Sequence, residues 1–137
     1  VDLAGAIPVG AAASRSVTVT RELTVAHFHD DMPEVYGTPM MIYLMEVAAA
    51  AAIRPFLPQG WVSVGVAVEV RHLAATPVGS RVTATATVRA VDDATVTFDL
   101  EAFDEREQIG RGTHARAPVE LERFRRRIEG KTLPPLF

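Results

Sequence analysis

Thr38-Pro39-Met40-Met41-Ile42-Tyr43-Leu44-Met45-Glu46-Val47, continued by five alanines to Ile53, is a long apolar run carrying one charge, Glu46. Pro39 suits the first turn of a helix, where its missing N–H costs nothing, with Thr38 as the expected cap. Pro55 stops the helix after Arg54. A helix apolar nearly all round is expected to be enclosed, and its alanines let a neighbour approach closely. A lone carboxylate there asks for a reason, because burial penalises charge and poises the group for proton transfer. Glu46 is therefore the first candidate for chemistry, beside the plainer reading of a rim carboxylate paired with an arginine or histidine.

Outside this helix the patterns alternate. Val17 and Val19 between Ser16, Thr18 and Thr20 predict a first strand within Ser16 to Val25. The first fifteen residues, rich in Gly and Ala, are expected to be loosely anchored. His27-Phe28-His29-Asp30-Asp31-Met32-Pro33 reads as a loop or lid. From Trp61, Val62, Val64, Val66, Val68 and Val70 are expected on one strand face, with His72 on the same helix-facing side. Val82 to Val88 and Val96 to Ala102 alternate around an Asp92-Asp93 turn, and Gln108 to Ala117 adds a strand with Gly110 and Gly112 placed for a bulge or close approach. Leu121, Phe124 and Ile128 have helical spacing, and Pro134-Pro135 is expected to end the ordered part. One helix followed by a meander predicts an α+β hotdog fold, a curved antiparallel sheet wrapped around one long buried helix. The expected division is an extension over 1–15, the domain over 16–130 and a tail over 131–137. A sheet with one helix leaves an edge and a face open, which favours a homodimer or a dimer of dimers.

The 137 residues suit one domain burying roughly two-thirds of its unfolded surface. With 14 Lys and Arg against 17 Asp and Glu, the net charge of −3 recruits neither nucleic acid nor an anionic membrane. The one basic cluster, Arg123 with Arg125, Arg126 and Arg127, reads as a solvated helix face or as a contact for a nucleotide phosphate. Zero cysteines exclude disulfides and thiolate chemistry. Without a signal-peptide pattern, and with Pro39–Ile53 short of the ~20 residues of a membrane span, a cytoplasmic protein is expected.

Thr38, Glu46 and His72 supply hydroxyl, carboxylate and imidazole, the set that activates water and moves protons at a carbonyl. Singly, Thr38 could be only a cap and His72 only a hydrogen-bonded strand-end histidine. Thr38 and Glu46 lie ~12 Å apart along one helix and about 80° apart around it, so they are not expected to touch, and pairing across a dimer interface would unite them. His27 and His29 are a weak metal motif, His114 could line a site through its strand but is expected on an exposed sheet face, and no metal or cofactor is expected. Phosphate-binding, nucleophile-elbow and dinucleotide motifs are missing from the sequence.

Pro33-Glu34-Val35-Tyr36, Thr38, Met41, Leu44-Met45-Glu46, His72 with Ala74-Ala75-Thr76-Pro77, and Ile109-Gly110 with Gly112-Thr113-His114 together resemble the fluoroacetyl-CoA thioesterase family of hotdog proteins. The closing Leu121-Glu122, Phe124 and Lys131-Thr132 fit as well. The resemblance implies hydrolysis of an acyl-CoA thioester, with Thr38, Glu46 and His72 catalytic. It implies substrate contacts at Gly65, Met32, Tyr36 and Arg116, Gly65 letting the carbonyl approach the backbone. Where the fluoroacetyl specialist has lid phenylalanines, this chain has His29 and Met32, so a short-chain acyl-CoA thioesterase is expected. The rival expectations are an enoyl-CoA hydratase, for which Asp30 and Asp31 beside His29 lack the usual spacing, and a non-catalytic acyl-CoA-binding protein.

Overall fold

The computed structural model describes residues 2–132 and 135. The main elements are α1 (Leu3–Ala6), β1 (Ala12–Thr18), α2 (Thr38–Ile53), β2 (Trp61–His72), β3 (Arg81–Val91), β4 (Val96–Phe103), β5 (Gln108–Glu120) and α3 (Leu121–Lys131). All strand pairs are antiparallel, in the order β1-β3-β4-β5-β2. This is the expected hotdog fold: a curved five-stranded sheet around one long helix.

Alternation builds the inner face of the sheet. Val82, Ala84, Ala86 and Val88 on β3, with Val96, Phe98, Leu100 and Ala102 on β4, are buried. Met41, Met45, Ala48, Ala49, Ala52 and Ile53 of α2 complete the core. The helix can lie close because Gly110 has no side chain; a Cβ there would stand 2.5 Å from the Met41 sulfur. At Gly112 a Cβ would strike the backbone of Glu69 and Val70. The Asp92 turn closes β3 to β4, its carboxylate accepting from the backbone N–H groups of Ala94 and Thr95.

Several expectations are corrected. The amino-terminal stretch is docked, not loose: Leu3 and Ile7 enter the core and β1 begins at Ala12. β1 ends at Thr18, and Arg21–Leu23 and Val25–His27 are short 3-10 turns. The cap of α2 is Gly37, with Thr38 already inside the helix. The helix is enclosed on one side only: Tyr43 is 68% exposed in the protomer. Joined to the following Arg54–Phe56 turn, the Thr38–Phe56 segment is by length and composition enough to cross a membrane, yet here it packs mainly across β1 and β3. α3 runs to Lys131, and Pro134 lies outside the described residues.

The largest correction concerns β2. Gly65 pairs with Arg116 but Ala67 pairs with Ala115, so Val66 is the extra residue of a β-bulge. Residues directly opposite on paired strands share a face. Val68, Val70 and His72 therefore look inward with His114, Gly112 and Gly110, as expected for His72. Before the bulge the inward residues are Trp61, Ser63 and Gly65, and Val62 and Val64 point outward. β2 is also a sheet edge, with Val66 and Val68 exposed.

Candidate active site

The first turn of α2 and the end of β2 bring two expected residues together. Thr38 Oγ1 and His72 Nδ1 are 2.7 Å apart, so the hydroxyl is spent on the imidazole, not on a helix cap. His72 Nε2 is buried without a hydrogen-bond partner among the described residues. Burial pushes the imidazole below its ordinary range, and the Ala74 backbone offsets part of this without forming a bond of good geometry. A neutral imidazole is the form that accepts a proton. Met32, Tyr36, Leu73 and Ala74 line the same cleft of about 410 Å³ as Thr38 and His72. Tyr36 is buried, its hydroxyl donating to the Met40 carbonyl; desolvation raises its pKa to about 12, so it is a neutral wall of the cleft.

Two helical turns on, Glu46 sits in a second cleft of about 250 Å³ with Gly65, Val66, Ala67, Val68 and His114. The carboxylate is not sealed in the core: its side chain keeps 37% exposure, and Arg116, nearly buried, holds it at 3.4 Å. The plain reading of an arginine-paired carboxylate is thus part of the answer. Arg116 also donates to the Ser63 hydroxyl at 2.8 Å and to the Ser63 carbonyl at 2.9 Å. A Cβ on Gly65 would stand 2.8 Å from Glu46 Oε2 and 3.3 Å from the His114 ring. The bulge turns this glycine inward, so the carboxylate faces bare backbone.

His114, expected on an exposed sheet face, is instead the buried member of this cleft. It is buried, stacked on Phe98 at 5.9 Å, with Nδ1 2.8 Å from the Ala67 carbonyl at the bulge. A carbonyl only accepts, so Nδ1 carries the proton and Nε2 receives Arg116 Nη1 at 3.2 Å. Burial pushes His114 down; the Ala67 carbonyl opposes this, Arg116 reinforces it and Glu46 opposes it weakly. The available signal was strand parity, since His114 and Arg116 stand two apart on the face of Gly110 and Gly112.

The protomer therefore divides the expected set. Thr38, His72, Met32 and Tyr36 share the cleft at the mouth of the helix; Glu46, Gly65 and Arg116 share the one midway along it. Asp30 belongs to neither, being 99% exposed and paired with Arg21.

The FlK family, described as fluoroacetyl-CoA-specific thioesterase, matches residues 19–122. The chain is 38% identical over 130 residues to a fluoroacetyl-CoA thioesterase of Streptantibioticus cattleyicolor, covering 90% of this chain and 94% of that one. The structure of the fluoroacetyl-CoA thioesterase FlK superposes with a TM-score of 0.87 at 37% identity, over 93% of this chain and 98% of that one. A threonine-to-serine variant of FlK in complex with acetyl-CoA superposes at 0.84, with 36% identity over 93% of this chain and all (100%) of that one.

Proposed function

The chain belongs to the FlK family of fluoroacetyl-CoA-specific thioesterases, and on that premise we propose that it hydrolyses short-chain acyl-CoA thioesters without requiring fluorine. The observation that carries this reading is Glu46, held by Arg116 against a strand glycine whose missing Cβ leaves room for a thioester carbonyl. Met32, 47% exposed in the lid, supports the broader acyl range, and so does the acetyl-CoA complex of the FlK variant.

Two routes use the same residues. In one, Glu46 forms a bond to the acyl carbon, the C–S bond breaks, and water then hydrolyses the mixed anhydride. In the other, Glu46 takes a proton from water as the oxygen attacks the carbonyl. Both release CoA as a thiolate that must be protonated. That proton originates in the attacking water, directly or through Glu46, and neutral His72, bonded to Thr38, is the relay that takes it up and passes it to sulfur. Labelled oxygen entering the enzyme's carboxylate in a single turnover marks the anhydride route.

The catalytic unit we propose is a homodimer. Antiparallel pairing of two β2 edges about Val68 and Glu69 would set Gly65 opposite the partner's His72, covering the exposed Val66 and Val68. Glu46 of one protomer would then meet the imidazole of the other. Mixing Glu46→Gln with His72→Ala, each inactive alone, should restore about one quarter of the sites after random exchange of protomers. No recovery, with exchange verified, argues for a site within one chain. The reading carries a cytoplasmic setting, where CoA thioesters are made and used.

A thiol-release assay with acetyl-, propionyl-, longer acyl- and fluoroacetyl-CoA tests the function. Free CoA from the short unfluorinated substrates supports it. Release from fluoroacetyl-CoA alone defeats the broad specificity; hydration of an enoyl-CoA, or binding without turnover, defeats the hydrolase reading.

A further inference from the structure

At the far end of β2, Trp61 and Phe124 flank a cleft of about 270 Å³ into which Arg123 and Arg127 of α3 also reach. We propose that this cleft holds the nucleotide end of the CoA substrate, an adenosine bearing 3′- and 5′-phosphates. The inference rests on the proposed function for the identity of the ligand and on four observations for its place.

First, the charge pattern is unfavourable for the helix on its own. Arg123 and Arg127 are four apart, so like charges share one helix face, and Arg123 stands in the first turn, where the helix dipole disfavours a cation. Second, among the described residues neither arginine forms an ion pair, whereas Arg125 is paired with Glu122 at 3.9 Å. Among the described residues Glu120 is the only acid lining the cleft, against two arginines. Third, the two aromatic rings offer a flat surface for a purine beside forked donors suited to phosphate oxygens. Fourth, the cleft lies within reach. Trp61 and Gly65 share the inner face of β2 and are about 13 Å apart along the strand, a gap that an extended pantetheine arm bridges. In a chain of net charge −3, this basic helix also draws an anionic ligand towards one end of the sheet.

Trp61 is the chain's only tryptophan, so its fluorescence reports the cleft directly. Adenosine 3′,5′-bisphosphate, which carries no thioester, should quench that emission saturably in the full-length protein, and CoA should compete with it. In the Arg123→Ala/Arg127→Ala double variant its affinity should fall about tenfold, the worth of one charge-assisted hydrogen bond. Arg126→Ala, altered outside the cleft, should bind as the parent protein does. In turnover, the ratio of kcat/KM for acetyl-CoA over acetyl-pantetheine should fall about tenfold in the double variant, through KM. Equal affinity of parent and double variant, an equal effect on both thioesters, or equally good binding of ADP overturns the assignment. Arginine-dependent binding of the bisphosphate without hydrolysis of any thioester would keep this cleft and defeat the thioesterase reading. Hydrolysis with no bisphosphate binding would do the reverse.

Discussion

The mouth of the central helix and its midpoint are built on different physical terms. At the mouth, Thr38 and His72 make one hydrogen bond, the second imidazole nitrogen has no partner among the described residues, and the wall is a loop bearing exposed Met32. At the midpoint, Glu46 is tied into a network of Arg116, His114 and Ser63 on adjoining sheet strands, closed by the Ala67 carbonyl. The first region is underdetermined and ready to take a further partner; the second is rigid and aims a carboxylate. The ~12 Å rise between Thr38 and Glu46 keeps the Thr38–His72 pair away from the carboxylate, and the imidazole beside Glu46, His114, has both ring nitrogens engaged, by the Ala67 carbonyl and by Arg116.

The sharpest way to break this contrast is Glu46→Gln. Turnover should fall by about a thousandfold, in the range of a lost general base, with the melting temperature nearly unchanged. Activity that survives would remove the midpoint from the chemistry. Next comes Gly65→Ala. The added Cβ meets side chains and not backbone, first the far end of Glu46 and then the edge of the His114 ring, so the fold should absorb it while the displaced carboxylate costs about a hundredfold in kcat. Gly112→Ala should do the opposite, since its Cβ meets backbone: a loss of about 1–3 kcal/mol or more in denaturant unfolding. If Gly65→Ala instead destabilises the protein and spares kcat, the pairing of bare backbone with the carboxylate is not functional.

At the mouth, Thr38→Val removes the hydroxyl at similar volume and should cost about tenfold in kcat, with Thr38→Ser recovering most of it. An unchanged rate would reduce Thr38 to a structural residue. The smallest effect is on pH. His72 and His114 are both held below their unfolded value of 6.5, so in the window just below 6.5 the unfolded chain binds more protons than the folded one. Their contribution to stability is complete above that value and is lost as the pH falls through it. Melting curves should therefore move to lower temperature below pH 6.5, and His114→Gln should flatten the trend. A melting temperature independent of pH across that window would argue against buried neutral imidazoles.

Legibility in the sequence followed the regularity of each element. The α2 run and the strict alternation of β3 and β4 announce themselves, because one periodicity holds over the whole element. β2 is equally regular in letters, valine at every second position, yet the chain inserts Val66 as a bulge and half the expected face turns outward. A bulge answers to the partner strand, which local pattern does not contain. The same gap hid His114: its burial depends on Phe98 and Ala67, both distant in sequence. The amino-terminal segment was misread because its anchors, Leu3 and Ile7, stand among small residues with no period. Thr38, Glu46 and His72 were legible as chemical types, and their separation followed from helix geometry. The network that orients Glu46 was not.

The bulge has a consequence for how this chain can change over generations. An inserted residue that pairs with nothing can be excised without flipping its neighbours: deleting Val66 would leave Gly65 opposite Arg116 and Ala67 opposite Ala115, now in unbroken succession. Such a shortened strand would keep every inward side chain and forfeit only its local bend and extra twist. That makes Val66 a site where a single-codon loss would keep the pairing with β5 while re-aiming the one stretch of backbone against which the carboxylate is set.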